Sequence, residues 1–208
     1  MNNFLYPSET IIVATHNGGK AKEFKKLFGQ VGINTTFSKD FNIEEPLENG
    51  KTFKDNSIIK VKSAANLNLT AIADDSGLCV DVLDGKPGIF SARWAKKYGG
   101  WQNAMEKIYS LAQKKKNSNE FFAKYYCVLS VLWKDGSINC YSGEIKGVII
   151  WPPIGNKGFG YDPFFRPLDS EVTFGQMNKE VKMSLDHRSI AFKKIIRNHL
   201  ASGKTNLL

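Results

Sequence analysis

Asp74 and Asp75 are adjacent carboxylates, followed by Ser76 and Gly77, at the end of a short apolar run over 70–73. A strand that ends in Asp-Asp can hold a hard divalent cation beside a phosphate. Carboxylate oxygens suit Mg²⁺, which keeps several waters and takes its remaining ligands from substrate phosphates. By themselves the four residues also spell a turn, since Asp, Ser and Gly favour turns. The rest of the chain decides between these readings.

Four further groups carry chemistry. Thr15-His16-Asn17-Gly18-Gly19-Lys20 lies between an apolar strand pattern and a helical one. A turn feeding a helix N-terminus offers backbone N–H groups and the positive dipole end, which suit phosphate. Gly18 and Gly19 permit close approach, and Lys20 adds a point charge. The spacing is neither that of a Walker A loop nor that of a Gly-x-Gly-x-x-Gly fingerprint. Glu48 precedes Gly50 in an acidic stretch, and Asn56 and Lys60 share a helix face at (i, i+4). Gly158-Phe159-Gly160-Tyr161-Asp162-Pro163 exposes backbone and a ring face suited to stacking a base. Asp162 is placed to bond a ribose or a neighbouring loop. Lys182 and Asp186-His187-Arg188 add cationic donors, with Asp186 a ready N-cap.

The elements that must position these groups follow from periodicity. Residues 10–14 read as a buried strand, 20–28 as a helix with Ala21, Phe24, Leu27 and Phe28 on one face, and 33–37 as a second strand. Thr52 caps a helix running to about 67. The strand before Asp74 follows, then a separate short strand over 78–83 and a largely helical stretch over 91–116, interrupted at Gly99-Gly100. Two long β-prone runs, 121–133 and 138–150, flank Asp135-Gly136, a strong hairpin signal. Residues 151–167 carry Gly, Pro and aromatics with little regular structure, and 188–200 form a last amphipathic helix. Strand-helix alternation and then a long hairpin predict an α/β fold with a mixed sheet, in one domain over 1–208.

Composition bounds the function. The chain has 208 residues and a formal charge of +9. Seven Lys/Arg against Glu180 and Asp186 give +5 over 179–204 alone. A basic surface attracts polyanions, whether nucleic acid or a triphosphate. The tryptophans Trp94, Trp101 and Trp151 are scattered rather than interleaved with a basic stripe, so no specific nucleic-acid partner is expected. Cys79, Cys127 and Cys140 are odd in number and form no CxxC, which suggests reduced thiols. No apolar run approaches a membrane span and no signal-peptide pattern opens the chain, so a cytoplasmic protein without a membrane partner is expected.

Taken in order, Thr15 to Lys20, Thr52-Phe53-Lys54-Asp55-Asn56, Ala73-Asp74-Asp75-Ser76-Gly77-Leu78, Pro87-Gly88-Ile89-Phe90-Ser91-Ala92-Arg93, Gly158 to Pro163 and His187-Arg188 resemble the inosine/xanthosine triphosphate pyrophosphatase family. The resemblance spans 11–196. It implies an elongated mixed β-sheet with flanking helices, in two lobes around a nucleotide cleft, and a homodimer. It also implies Mg²⁺-dependent hydrolysis of non-canonical purine triphosphates (ITP, dITP, XTP) to the monophosphate and pyrophosphate. On that pattern Thr15, His16, Asn17, Gly18, Gly19 and Lys20 hold the phosphates. Asp75 is general base or metal ligand, and Ser76 contacts substrate. Phe159, Gly160, Tyr161, Asp162, Lys182, His187 and Arg188 surround the nucleoside, and Glu48 joins Asp75 and Asp74 as a metal ligand. Departures are Asp186 where the family usually has Ser, one glutamate before Gly50 where it often has a pair, Asp55 for Glu and Ser57 for Ala.

Charge suggests the mechanism. A triphosphate resists attack until its charge is neutralised, which falls to Mg²⁺, Lys20 and Lys60, while Asp75 orients or deprotonates water. A 6-oxo purine would pair with donors from His187, Arg188 or backbone N–H groups that adenine would leave unpaired. The competing expectations are the septum-inhibition-related pyrophosphatases, which prefer pyrimidine or modified nucleotides, and a nucleic-acid-binding module.

Overall fold

The computed structural model describes residues 3–201. The strands are β1 (Thr10–Val13), β2 (Asn34–Phe37), β3 (Ala71–Val80), β4 (Lys86–Pro87), β5 (Phe121–Leu132), β6 (Ile138–Ile149) and β7 (Phe165–Pro167). The helices are α1 (Gly18–Gly29), α2 (Phe53–Lys62), α3 (Ser91–Lys97), α4 (Trp101–Lys115), α5 (Lys179–Leu185) and α6 (His187–His199). The sheet runs β2-β1-β3-β5-β6-β7, with β4 on β3. β1 is parallel to β2 and β3, whereas β3/β4 and β6/β7 are antiparallel, so the sheet is mixed.

Two compact units divide the chain. The first takes residues up to Asp75, Val128–Gly143 and those from Arg188 onward. Its apolar cluster includes Ile12, Ala14, Val61, Ala71, Ala73 and Leu132. The second takes Ser76–Cys127 and Glu144–His187, around Leu78, Val80, Ile108, Phe121, Phe164 and Phe174.

Local chemistry explains the elements that matter. Asn17 caps α1 by accepting from the N–H groups of Gly19 and Lys20, and Phe24, Leu27 and Phe28 form the buried face. Thr52 and Asp55 form a reciprocal capping box at the start of α2. The buried face of α2 is mostly polar, with Asn56, Ser57 and Lys60 beside Val61. Trp133 N–H donates to the Ser137 carbonyl across the β5–β6 turn, where Gly136 takes a φ of +83° that suits glycine.

Several expectations change. Asp74-Asp75-Ser76-Gly77 is not a turn: β3 runs unbroken from Ala71 to Val80, all buried except half-buried Ser76. The carboxylates tolerate this because cations meet them in the interior. Gly77 packs against Gly88 and the Ser91 hydroxyl too closely for any side chain. The helix expected to reach 67 stops at Lys62, with a separate 3₁₀ turn at Ala65–Leu67. α5 and β7 fall where the pattern announced no element.

Candidate functional site

The first unit gathers the charged residues that flank β3. Asp74 is 2% exposed. One of its oxygens pairs with Lys20, and Oδ2 accepts from Arg188 Nε and Nη2, both at 3.1 Å. Arg188 Nη1 also donates to Glu23. Burial works against the charge of Asp74, but Lys20, Arg188 and Lys60 outweigh it and hold the acid far below its ordinary value. Asp74 is therefore an ion-pair hub between Lys20 and Arg188. Arg188, 1% exposed, directs its fork at two carboxylates, Asp74 and Glu23.

Asp75 faces a different set. Oδ1 lies 3.2 Å from Lys60 Nζ, and Oδ2 accepts from Asn56 Nδ2 at 3.2 Å. Burial raises the Asp75 carboxyl, with help from the charges of Glu48 and Asp74, against the opposing pull of Lys60 and Lys20. The same ammonium lies 2.9 Å from Glu48 Oε1. Burial opposes the charge of Lys60, yet Asp75, Asp74 and Glu48 hold the amine protonated above its ordinary value. Neighbouring acids pushed in opposite directions are a mark of acid–base work.

Glu48 and Asp75 thus converge on one cation. Two carboxylates, completed by waters and phosphate oxygens, are the donor set that Mg²⁺ takes. Asp75, 5% exposed and raised first by burial and then by the charges of Glu48 and Asp74, is suited to a second positive charge. Among the described residues no three His, Cys, Asp or Glu side chains form a ready-made cage. The donor set therefore fits a metal shared with substrate phosphates.

The glycine loop lies on the same unit. Thr15 is half-buried, His16, Asn17 and Gly18 are exposed, and a Cβ at Gly18 would meet open space. The Gly19 and Lys20 amides, expected to be open to phosphate, already donate to Asn17 Oδ1 at 2.9 and 3.1 Å. His16 Nε2 donates to the Ile43 carbonyl at 2.8 Å, which ties the loop to the acidic segment that carries Glu48.

The second unit carries the aromatic residues. Asp162 Oδ2 accepts from the Phe159 N–H and from Lys182 Nζ, each at 2.7 Å. Lys182 Nζ also lies 4.7 Å from the Phe159 ring centre and 5.5 Å from that of Phe174, a cation–π arrangement. Gly158, at φ +75°, leaves the space that Asp162 fills. Phe159 and Gly160 remain half-buried. Tyr161 does not join this surface: it is 2% exposed and its hydroxyl donates to the Ser91 carbonyl at 3.0 Å. His187 stacks on Tyr125 with centroids 4.9 Å apart and planes 6° from parallel.

Sequence reasoning missed Glu23 and Phe174 as parts of these clusters, and it set Asn56 beside Lys60 on one helix face without foreseeing its bond to Asp75. Glu23 had one signal, an acid on the apolar face of α1 beside Phe24 and Leu27. Phe174 had none.

The model of the Ham1 family matches residues 11–198. A dITP/XTP pyrophosphatase from Rhizobium meliloti is 40% identical over 89% of this chain and 93% of its own length. One from Zymomonas mobilis is 38% identical over 89% and 90%. Among solved structures, the Staphylococcus aureus Ham1 protein superposes with a TM-score of 0.77 at 33% identity, covering 90% of this chain and 96% of that one. A HAM1 protein from Coxiella burnetii gives 0.80 at 29%, with the same coverage.

Proposed function

The chain belongs to the Ham1 family, and on that footing we propose that it hydrolyses non-canonical purine nucleoside triphosphates, ITP, dITP and XTP, to the monophosphate and pyrophosphate. The observation that carries the reading is Asp75: a buried carboxylate raised above its ordinary value, held on Lys60 together with Glu48. A raised carboxylate is a better general base at neutral pH than an ordinary one. The relatives' names supply the substrate class.

In this reading the Thr15–Lys20 loop, through Lys20, and Lys60 set positive charge against the triphosphate. Asp75 orients water and takes its proton. Bound by Glu48 and Asp75, Mg²⁺ would supply Lewis acidity toward the phosphates. Ser76 contacts the substrate from the only half-buried position of β3. Phe159 offers a ring face to the purine, and Asp162 holds Lys182 over that ring. A 6-oxo acceptor pairs with N–H donors where a 6-amino group would set donor against donor.

We further place the enzyme in the cytoplasm as a homodimer. Its three cysteines are free, and no helix among the described residues is long and apolar enough to cross a membrane. Phe122, 64% exposed on β5, is the kind of group a second copy would cover. Product analysis tests the reaction: ITP should yield IMP and pyrophosphate in equal amounts, and release of orthophosphate with IDP would refute it.

A further inference from the structure

We infer that Asn56 is the positioning residue that fixes the Asp75 carboxylate and couples it to the segment bearing Glu48. The inference rests on the reading of Asp75 as the catalytic base. Asn56 is fully buried. Its amide cannot be turned over, because Oδ1 accepts from the Gly50 N–H at 2.8 Å and a backbone N–H only donates. The other end must then be the NH₂ group, which donates to Asp75 Oδ2 at 3.2 Å.

Each oxygen of Asp75 therefore has its own donor, Asn56 for one and Lys60 for the other. The two donors stand one helical turn apart on α2, so a single rigid element sets the rotation of the carboxylate. The same two residues hold the acidic segment, Asn56 through Gly50 N–H and Lys60 through Glu48. Gly50 is required here: a Cβ on it would lie 2.6 Å from Asn56 Oδ1 and equally close to Cβ of Asp55, the residue before Asn56 on α2.

The test is a cycle of Asn56→Asp, Asp75→Asn and the double variant, all close to isosteric. Asn56→Asp keeps the acceptor for Gly50, removes the donor to Asp75 and sets a second carboxyl against it. We expect kcat on ITP to fall by about 10- to 100-fold, the scale of a misplaced catalytic group, with KM little changed. Its melting temperature should fall as two buried carboxylates face each other. In the double variant the new amide can donate back to the new carboxylate, so stability should return toward that of Asp75→Asn alone, with no activity. A kcat for Asn56→Asp within about twofold of the parent, or purely additive stability losses around the cycle, would overturn the inference. If the parent failed to hydrolyse ITP, the functional reading would fall, while the stability cycle would still report whether the two side chains are paired.

Discussion

Asp74 and Asp75 are consecutive residues of β3 whose carboxylates are held by separate partners: Asp74 by Lys20 and Arg188, Asp75 by Lys60 and Asn56. Successive side chains of a strand point to opposite faces. One acid is thereby locked in its charged form, while burial raises the other.

The sign of each shift gives a stability prediction. Asp74 lies below its unfolded value near 3.8, so its contribution is full above that pH and is lost only as pH falls through the folded value. Asp75 lies above the same unfolded value, so ionising it opposes folding as pH rises through that window. Asp75→Asn is expected to abolish hydrolysis while melting, in EDTA at pH 7, no lower than the parent. Thermal melts beside a pyrophosphate assay check both parts.

Arg188→Ala leaves Glu23 and Asp74 facing a buried gap in positive charge. Breaking a buried pair in this way costs about 3–5 kcal/mol, to be read from urea unfolding. Arg188→Lys is expected to recover little, because one ammonium cannot reproduce a fork that meets two carboxylates.

Lys182→Met keeps the packing against Phe159 and Phe174 but removes the charge beside Asp162. The kcat/KM for ITP should fall about tenfold or more, chiefly through KM, because the variant alters a binding surface rather than the base. Steady-state kinetics on ITP, with near-ultraviolet circular dichroism as a folding control, decides the point.

His16→Ala removes the donor to Ile43 and frees one end of the acidic segment. An exposed hydrogen bond is worth about 0.5–1.5 kcal/mol, so a loss of about threefold to tenfold in kcat/KM is expected. Amide exchange should quicken over residues 42–52. His16→Gln, which keeps an N–H of similar reach, should behave like the parent on both measures.

Much of this was legible from residue order. The strand-helix alternation, the hairpin at Asp135-Gly136 and the cap at Thr52 rest on local rules, and the local rules hold. The break expected between a strand before Asp74 and another over 78–83 does not occur, because local propensity cannot see Lys20, Lys60 and Arg188, which are distant in sequence yet neutralise the strand. Arg188 looked like an open donor for the same reason, since its partner Glu23 lies on the first helix. Tyr161 was expected beside Phe159 around the nucleoside because its motif does not reveal that its hydroxyl donates to the Ser91 carbonyl. The role of Asn56 required knowing which way the amide faces, and only the Gly50 contact shows that.

The central claim is tested most directly by following pyrophosphate release from ITP, dITP, XTP, ATP, GTP and dTTP, each with Mg²⁺ and with EDTA. The account predicts metal-dependent release from ITP, dITP and XTP, with ATP, GTP and dTTP far slower. Activity centred on dTTP, or equal rates on ATP and ITP, would contradict it.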